Sequence, residues 1–125
     1  MFSGPTGCGK TETAKALARS LGWAEPIIIN LSRITKIEHL STLIGAPSGY
    51  GSHGENVENY LTTKVIKNPR SVVLFDEADK ALNTYFYSEK KSLIDILLPI
   101  FEDGRLEDRI GQLADFSRCI VIICS

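Results

Sequence analysis

Gly4, Gly9, Lys10 and Thr11 stand at the four fixed positions of the pattern G-x-x-x-x-G-K-[ST], in the stretch GPTGCGKT. That spacing suits one kind of chemistry. Glycines let the main chain fold into a concave nest whose N–H groups point at phosphate oxygens, and a helix that follows adds the positive end of its dipole. Gly4, Pro5, Thr6, Gly7, Cys8 and Gly9 would form the cradle, Lys10 would reach the β- and γ-phosphates, and the Thr11 hydroxyl would ligate Mg²⁺. Cys8 occupies a variable position and reads as a small filler.

A second acidic stretch, SVVLFDEADK, begins at Ser71. Val72 to Phe75 is a continuous apolar run of strand-favouring residues, as expected for a strand covered on both faces in a parallel sheet. Two carboxylates end it, at the edge where open α/β sheets receive their ligands. Asp76 is the candidate Mg²⁺ holder and Glu77 the candidate general base for an attacking water. With Lys10 neutralising phosphate charge, the candidate catalytic residues are Lys10 and Glu77, and the implied cofactors are ATP and Mg²⁺.

The elements around these residues must alternate. Ala14, Leu17, Ala18 and Leu21 repeat at helical spacing, so Lys10 to Leu21 is predicted as a helix that Gly22 ends. Ile27 to Ile29 reads as a second buried strand, and Ser32 to Leu43 as a helix. Gly45 to Gly54 is a loop rich in Gly and Pro, and a further helix carries Val57, Tyr60, Leu61 and Val65 before Asn68-Pro69 stops it. Leu93 to Phe101 is a strongly apolar helix with Pro99 near its end. Gly104 to Phe116 divides into two short extended pieces about Gly111-Gln112, and Cys119 to Cys124 is a final strand. The fold class is therefore α/β with a mainly parallel sheet.

Bulk properties narrow the partners. The chain has 125 residues with 14 basic and 15 acidic side chains, a formal net charge of −1. No basic excess points to nucleic acid or to an anionic membrane, and no apolar run is long enough to span one. The expected location is cytoplasmic or an organelle matrix. Cys119 and Cys124 fall on opposite faces of their strand and read as buried apolar fillers; His39, on a polar helix face, and His53 read as solvated polar residues.

The stretches FSGPTGCGKTETAKALA, LIGAPSGYG, SVVLFDEADKA and FEDGRLED, with ADF before the last strand, resemble in the same order the second ATPase module of Clp-type AAA+ unfoldases. That resemblance implies a P-loop NTPase of the AAA+ type, a three-layer sandwich, in a hexameric ring that uses ATP hydrolysis to thread unfolded or aggregated polypeptide through its pore. A peptidase or co-chaperone is a further implied partner. It also implies that Tyr50 touches the threaded chain; the plainer reading of Tyr50 is a ring packed on a neighbouring loop. Where the family has Val-Gly and an aromatic after this position, the chain has Gly51, Ser52 and His53, and Leu113 stands in place of an arginine. Thr84 to Lys91 reads as an insertion.

By the same comparison, Met1 and Phe2 read as the last residues of the strand leading into the loop, and Ser125 precedes the family's sensor asparagine. The expectation is that 1–125 is a partial AAA+ core, truncated at both ends and without the helical lid. Two other functions stay open: a nucleic-acid-handling AAA+ ATPase, which a basic patch would favour, and a module that binds ATP only to assemble.

Overall fold

The computed structural model describes residues 2–4, 9–46 and 57–125. Four strands form its parallel sheet: β1 (Phe2–Gly4), β2 (Ile27–Asn30), β3 (Val72–Asp76) and, last in the chain, Ile120–Cys124. Between β3 and that last strand come two short antiparallel pairs. One joins β4 (Tyr85–Phe86) to β5 (Lys91–Ser92), the other β6 (Arg105–Glu107) to β7 (Leu113–Asp115), so the last strand is β8. The spatial order of the sheet is β1-β8-β3-β2, every neighbouring pair parallel.

The three α-helices among the described residues are α1 (Lys10–Leu21), α2 (Leu61–Lys67) and α3 (Leu93–Asp103). Helix α1 has the bounds its apolar spacing predicts, and Gly22 ends it at φ 71°, giving its N–H to Ala18 and Arg19 carbonyls as a left-handed cap requires. Ala14 and Ala18 pack against Val72, Leu74, Ile122 and Cys124 on one face of the sheet. The alternate residues Val73, Phe75 and Val121 face the other way, toward Leu61 and Val65 of α2 and Leu93, Ile96, Leu97 and Ile100 of α3. The sheet is thus the middle of three layers. Each large side chain of β3 removed from water contributes on the order of 2 kcal/mol, which is why this strand carries no polar residue until its end.

Several expectations change on contact with the structure. Strand β2 lies at the sheet edge, with Ile28 still 42% exposed, so it is covered on one side only. The helix expected over Ser32 to Leu43 is two short 3₁₀ turns, Leu31–Arg33 and Ile37–Thr42. Asn30 opens the first by accepting the Ser32 N–H at 3.0 Å. His39, expected as a solvated residue on a helix face, folds back instead, and its Nδ1 accepts the Thr35 and Lys36 N–H groups at 3.1 and 3.2 Å. The helix expected to carry Val57 to Val65 begins only at Leu61; Val57–Asn59 is a separate 3₁₀ turn and Val57 is exposed. Strand β1 runs on to Gly4, two residues past the expected end.

The remaining expectations were closer. Helix α3 spans Pro99 and continues to Asp103, where Gly104 caps it at φ 69°. Its start is a capping box: the Asp95 N–H donates to Ser92 Oγ at 3.3 Å and the Ser92 N–H donates to Asp95 Oδ2 at 3.1 Å. That backbone donation, with the Ser92 hydroxyl, holds the Asp95 carboxyl below its usual value. The stretch Thr84 to Lys91, expected as an insertion, makes most of the β4–β5 hairpin, and Arg105 to Asp115 makes the two extended pieces, paired antiparallel. Cys124 is buried, while Cys119 is only half-buried and donates to the Pro69 carbonyl at 3.4 Å.

Candidate functional site

Parallel pairing brings the two motifs to one edge. In the register of the sheet, Gly4 is level with Cys124, and Phe75 is level with Ile123. One step further along β3, Asp76 is therefore level with Gly4, on the opposite side of β8. Two strand spacings separate their backbones by roughly 10 Å. A single phosphate chain with its metal ion can touch both sides of such a gap, which is the arrangement phosphoryl transfer requires.

Gly9 precedes α1 in the left-handed region at φ 74°, and among the described residues none lies near the place a Cβ would take. Its carbonyl accepts both the Thr13 N–H and the Thr13 hydroxyl at 3.0 Å, fixing the first turn. Lys10 and Thr11 are then the first two residues of α1, where free N–H groups and the positive helix end meet. Pro5, Thr6, Gly7 and Cys8 lie outside the described residues, as does Tyr50. Lys10 has no ion-pair partner among the described residues.

Across the gap, Asp76 closes β3 and accepts the Glu77 N–H through Oδ1 at 2.9 Å. Glu77 itself sits at φ 55°, ψ 48°, a left-handed conformation that costs a non-glycine residue about 1–2 kcal/mol. Strain of this kind is retained where the surroundings fix it, commonly at functional sites. It turns the chain sharply out of the strand into the 3₁₀ turn Ala78–Asn83, with the Lys80 N–H returning to the Glu77 carbonyl at 3.1 Å. Both carboxylates are partly exposed. On the β2 side of Asp76 a cleft of about 470 Å³ opens, lined also by Asn30, Arg33, Glu38 and His39.

The donor set fits Mg²⁺. Asp76 Oδ2 and the Thr11 hydroxyl have no hydrogen-bond partner among the described residues. Mg²⁺ takes hard oxygen ligands, commonly one or two from protein with phosphate and water completing the octahedron. Among the described residues no cluster of three or more His, Cys, Asp or Glu side chains stands ready as an all-protein cage.

The model of one family, the AAA domain (Cdc48 subfamily), matches residues 1–125. The chain belongs to that family. Its similarity is to Clp-type members. Chaperone protein ClpB of Tropheryma whipplei (strain TW08/27) is 42% identical over 125 residues, all of this chain and 16% of that protein. Chaperone protein ClpB of Staphylococcus epidermidis (strain RP62A) is 43% identical over 127 residues, again all of this chain and 14% of that protein. ClpB of Clostridium tetani (strain Massachusetts / E88) is 42% identical over 127 residues. This AAA+ chain therefore spans about a sixth or less of the length of these relatives.

Sequence reasoning missed a second constellation, at the turn between β6 and β7. Asp108 is 5% exposed and its carboxylate collects four donors. The Thr62 hydroxyl donates to Oδ2 at 2.6 Å and Gln112 Nε2 at 2.8 Å, while the Ile110 and Gln112 N–H groups donate to Oδ1 at 3.0 and 2.9 Å. Burial works against the charge, but these hydrogen bonds, led by the one from Thr62, outweigh it and hold the carboxyl below its usual value. The final Asp of FEDGRLED was the available signal. Its partner, Thr62, could not be read from spacing.

Proposed function

We propose that this AAA+ chain is the ATP-binding and ATP-hydrolysing core of a chaperone that unfolds or disaggregates polypeptides by drawing them through a ring pore. The observation that carries the ATPase reading is the shared edge: Gly4, the first glycine of the loop motif, and the Asp76–Glu77 pair, with Glu77 strained, stand on either side of β8 at one level. When bound, Mg²⁺ would supply positive charge to offset the charge that develops on the phosphates. Lys10 would neutralise phosphate charge, and Thr11 and Asp76 would hold the ion. Glu77 would take a proton from the attacking water through its carboxylate. The cradle would be completed by Gly4, Pro5, Thr6, Gly7, Cys8 and Gly9.

The chaperone reading is supported by similarity to chaperone proteins over the whole of this chain. In that reading Tyr50 grips the substrate, the assembly is a hexameric ring with 1–125 as part of each subunit's AAA+ core, and a peptidase or co-chaperone can follow. A cytoplasmic or organelle-matrix location agrees with it; among the described residues no helix is long and apolar enough to cross a membrane. The test is steady-state ATP hydrolysis by the intact protein, with and without an unfolded polypeptide. Turnover that rises with polypeptide is expected. Turnover that answers to DNA instead would return the nucleic-acid reading, and binding without turnover would leave an assembly module.

A further inference from the structure

The turn between β6 and β7 holds both ends of the segment that carries Tyr50. On the incoming side, the Arg109 N–H donates to the Ile44 carbonyl at 3.0 Å, and Arg109 Nε donates to the Gly45 carbonyl at 2.9 Å. On the outgoing side, Asp108 accepts the Thr62 hydroxyl and Gln112 Nε2 donates to Thr63 Oγ1 at 2.9 Å. The two sides also touch one another. Gly45, at φ 93°, lies under the Tyr60 ring so closely that a Cβ would meet the phenol oxygen at 2.5 Å, and the Thr62 N–H reaches the Leu43 carbonyl at 3.4 Å.

Arg109 has a third partner. Its outer guanidinium nitrogen pairs with Glu89 in the turn of the β4–β5 hairpin, and the two side chains are only 28% and 24% exposed. A guanidinium has the rigid fork needed to serve a carbonyl and a carboxylate together; an ammonium does not. The hairpin, the stretch that reads as an insertion, supplies the one carboxylate that fixes this fork among the described residues. From Arg109 the chain runs through β7 into β8, whose end lies between Gly4 and Asp76.

We propose that Arg109, held by Glu89, is a positioning residue for polypeptide engagement: it fixes the neck formed by residues 43–45 and 60–63 and joins it, through β7 and β8, to the phosphate edge. This rests on the assignment of Tyr50 to substrate contact. The insertion then acts as a brace for the neck.

The experiment measures ATP hydrolysis by the intact protein against rising concentrations of reduced, carboxymethylated α-lactalbumin, an unfolded probe. Arg109→Lys keeps the charge and removes the fork. It is expected to raise the probe concentration for half-maximal stimulation about tenfold, and Glu89→Gln about threefold, while basal turnover and KM for ATP stay within about twofold of the parent. Arg109→Ala should match or exceed Arg109→Lys. Basal and stimulated turnover falling together would overturn the proposal, because a merely structural role moves both. No shift in either Arg109 variant, beside a Tyr50→Ala variant that has lost stimulation, would overturn it alone. A Tyr50→Ala variant with intact stimulation would bring down the Tyr50 assignment and the proposal with it.

Discussion

At the candidate phosphate edge, Gly9, Lys10, Asp76 and Glu77 are placed by main-chain geometry: strand ends, a helix start and two left-handed residues. At the turn of 108–112 the placing is done by side chains that bridge 46 to 64 positions of sequence. Among the described residues, the first region leaves the Lys10 ammonium, the Thr11 hydroxyl and Asp76 Oδ2 without a protein partner. The second spends them on protein partners, and Asp108 ends with both carboxylate oxygens fully engaged. A polar cluster by itself thus says little about function; what separates the two regions is whether the polar atoms are already satisfied.

This difference can be broken by substitution. The largest effect is expected from Lys10→Ala, which should weaken ATP binding by about 100-fold or more while leaving the melting temperature nearly unchanged; equilibrium nucleotide titration and a thermal melt check both. The reverse pattern is expected at Asp108. Replacement by Ala strands Thr62 and Gln112 without an acceptor and should cost about 2–4 kcal/mol in denaturant unfolding, with nucleotide contacts untouched.

The Asp108 carboxyl also sharpens the comparison through pH. Its folded value lies below that of the unfolded chain, so its contribution is complete above about pH 4 and is lost as pH falls through the depressed folded value. Asp108→Asn should therefore flatten the acid limb of a stability-against-pH curve. A mutant limb as steep as the parent's would show that other carboxylates carry it.

Smaller effects come from the neck and from the surface. Gly45→Ala places a methyl against the Tyr60 ring in a left-handed backbone and should cost about 1–3 kcal/mol. Lys67→Ala removes an ion pair with Glu58 whose partners are 57% and 64% exposed, and less than about 1 kcal/mol is expected. If the two variants melted alike, the neck would be no tighter than the surface.

What was legible in the sequence follows the same division. Helix α1 and strand β3 were readable because apolar spacing and a terminating Gly or acidic pair are local signals. The β6–β7 pair was readable from Gly111. The stretch 32–43 was not: Asn30 and His39 side chains take up main-chain N–H groups and favour tight 3₁₀ turns, although the apolar spacing is helical. Strand β2 looked buried because three isoleucines in a row do not reveal which strand ends the sheet. Ser92 and Asp95 did spell a capping box, a signal left unread. The candidate site was proposed from two local patterns, a glycine-rich motif before a helix and an acid pair at a strand end, whereas Asp108 and Arg109 depend on partners that only the folded chain supplies.

The central claim is that Glu77 performs chemistry at an edge where Lys10 and Asp76 perform binding. It is tested most directly by the nucleotide retained on a Glu77→Gln variant of the intact protein after incubation with ATP and Mg²⁺. The account predicts ATP bound about as tightly as by the parent, with turnover lower by about 10²–10⁴-fold. Turnover at the parental rate, or an ATP affinity lost together with turnover, would contradict it.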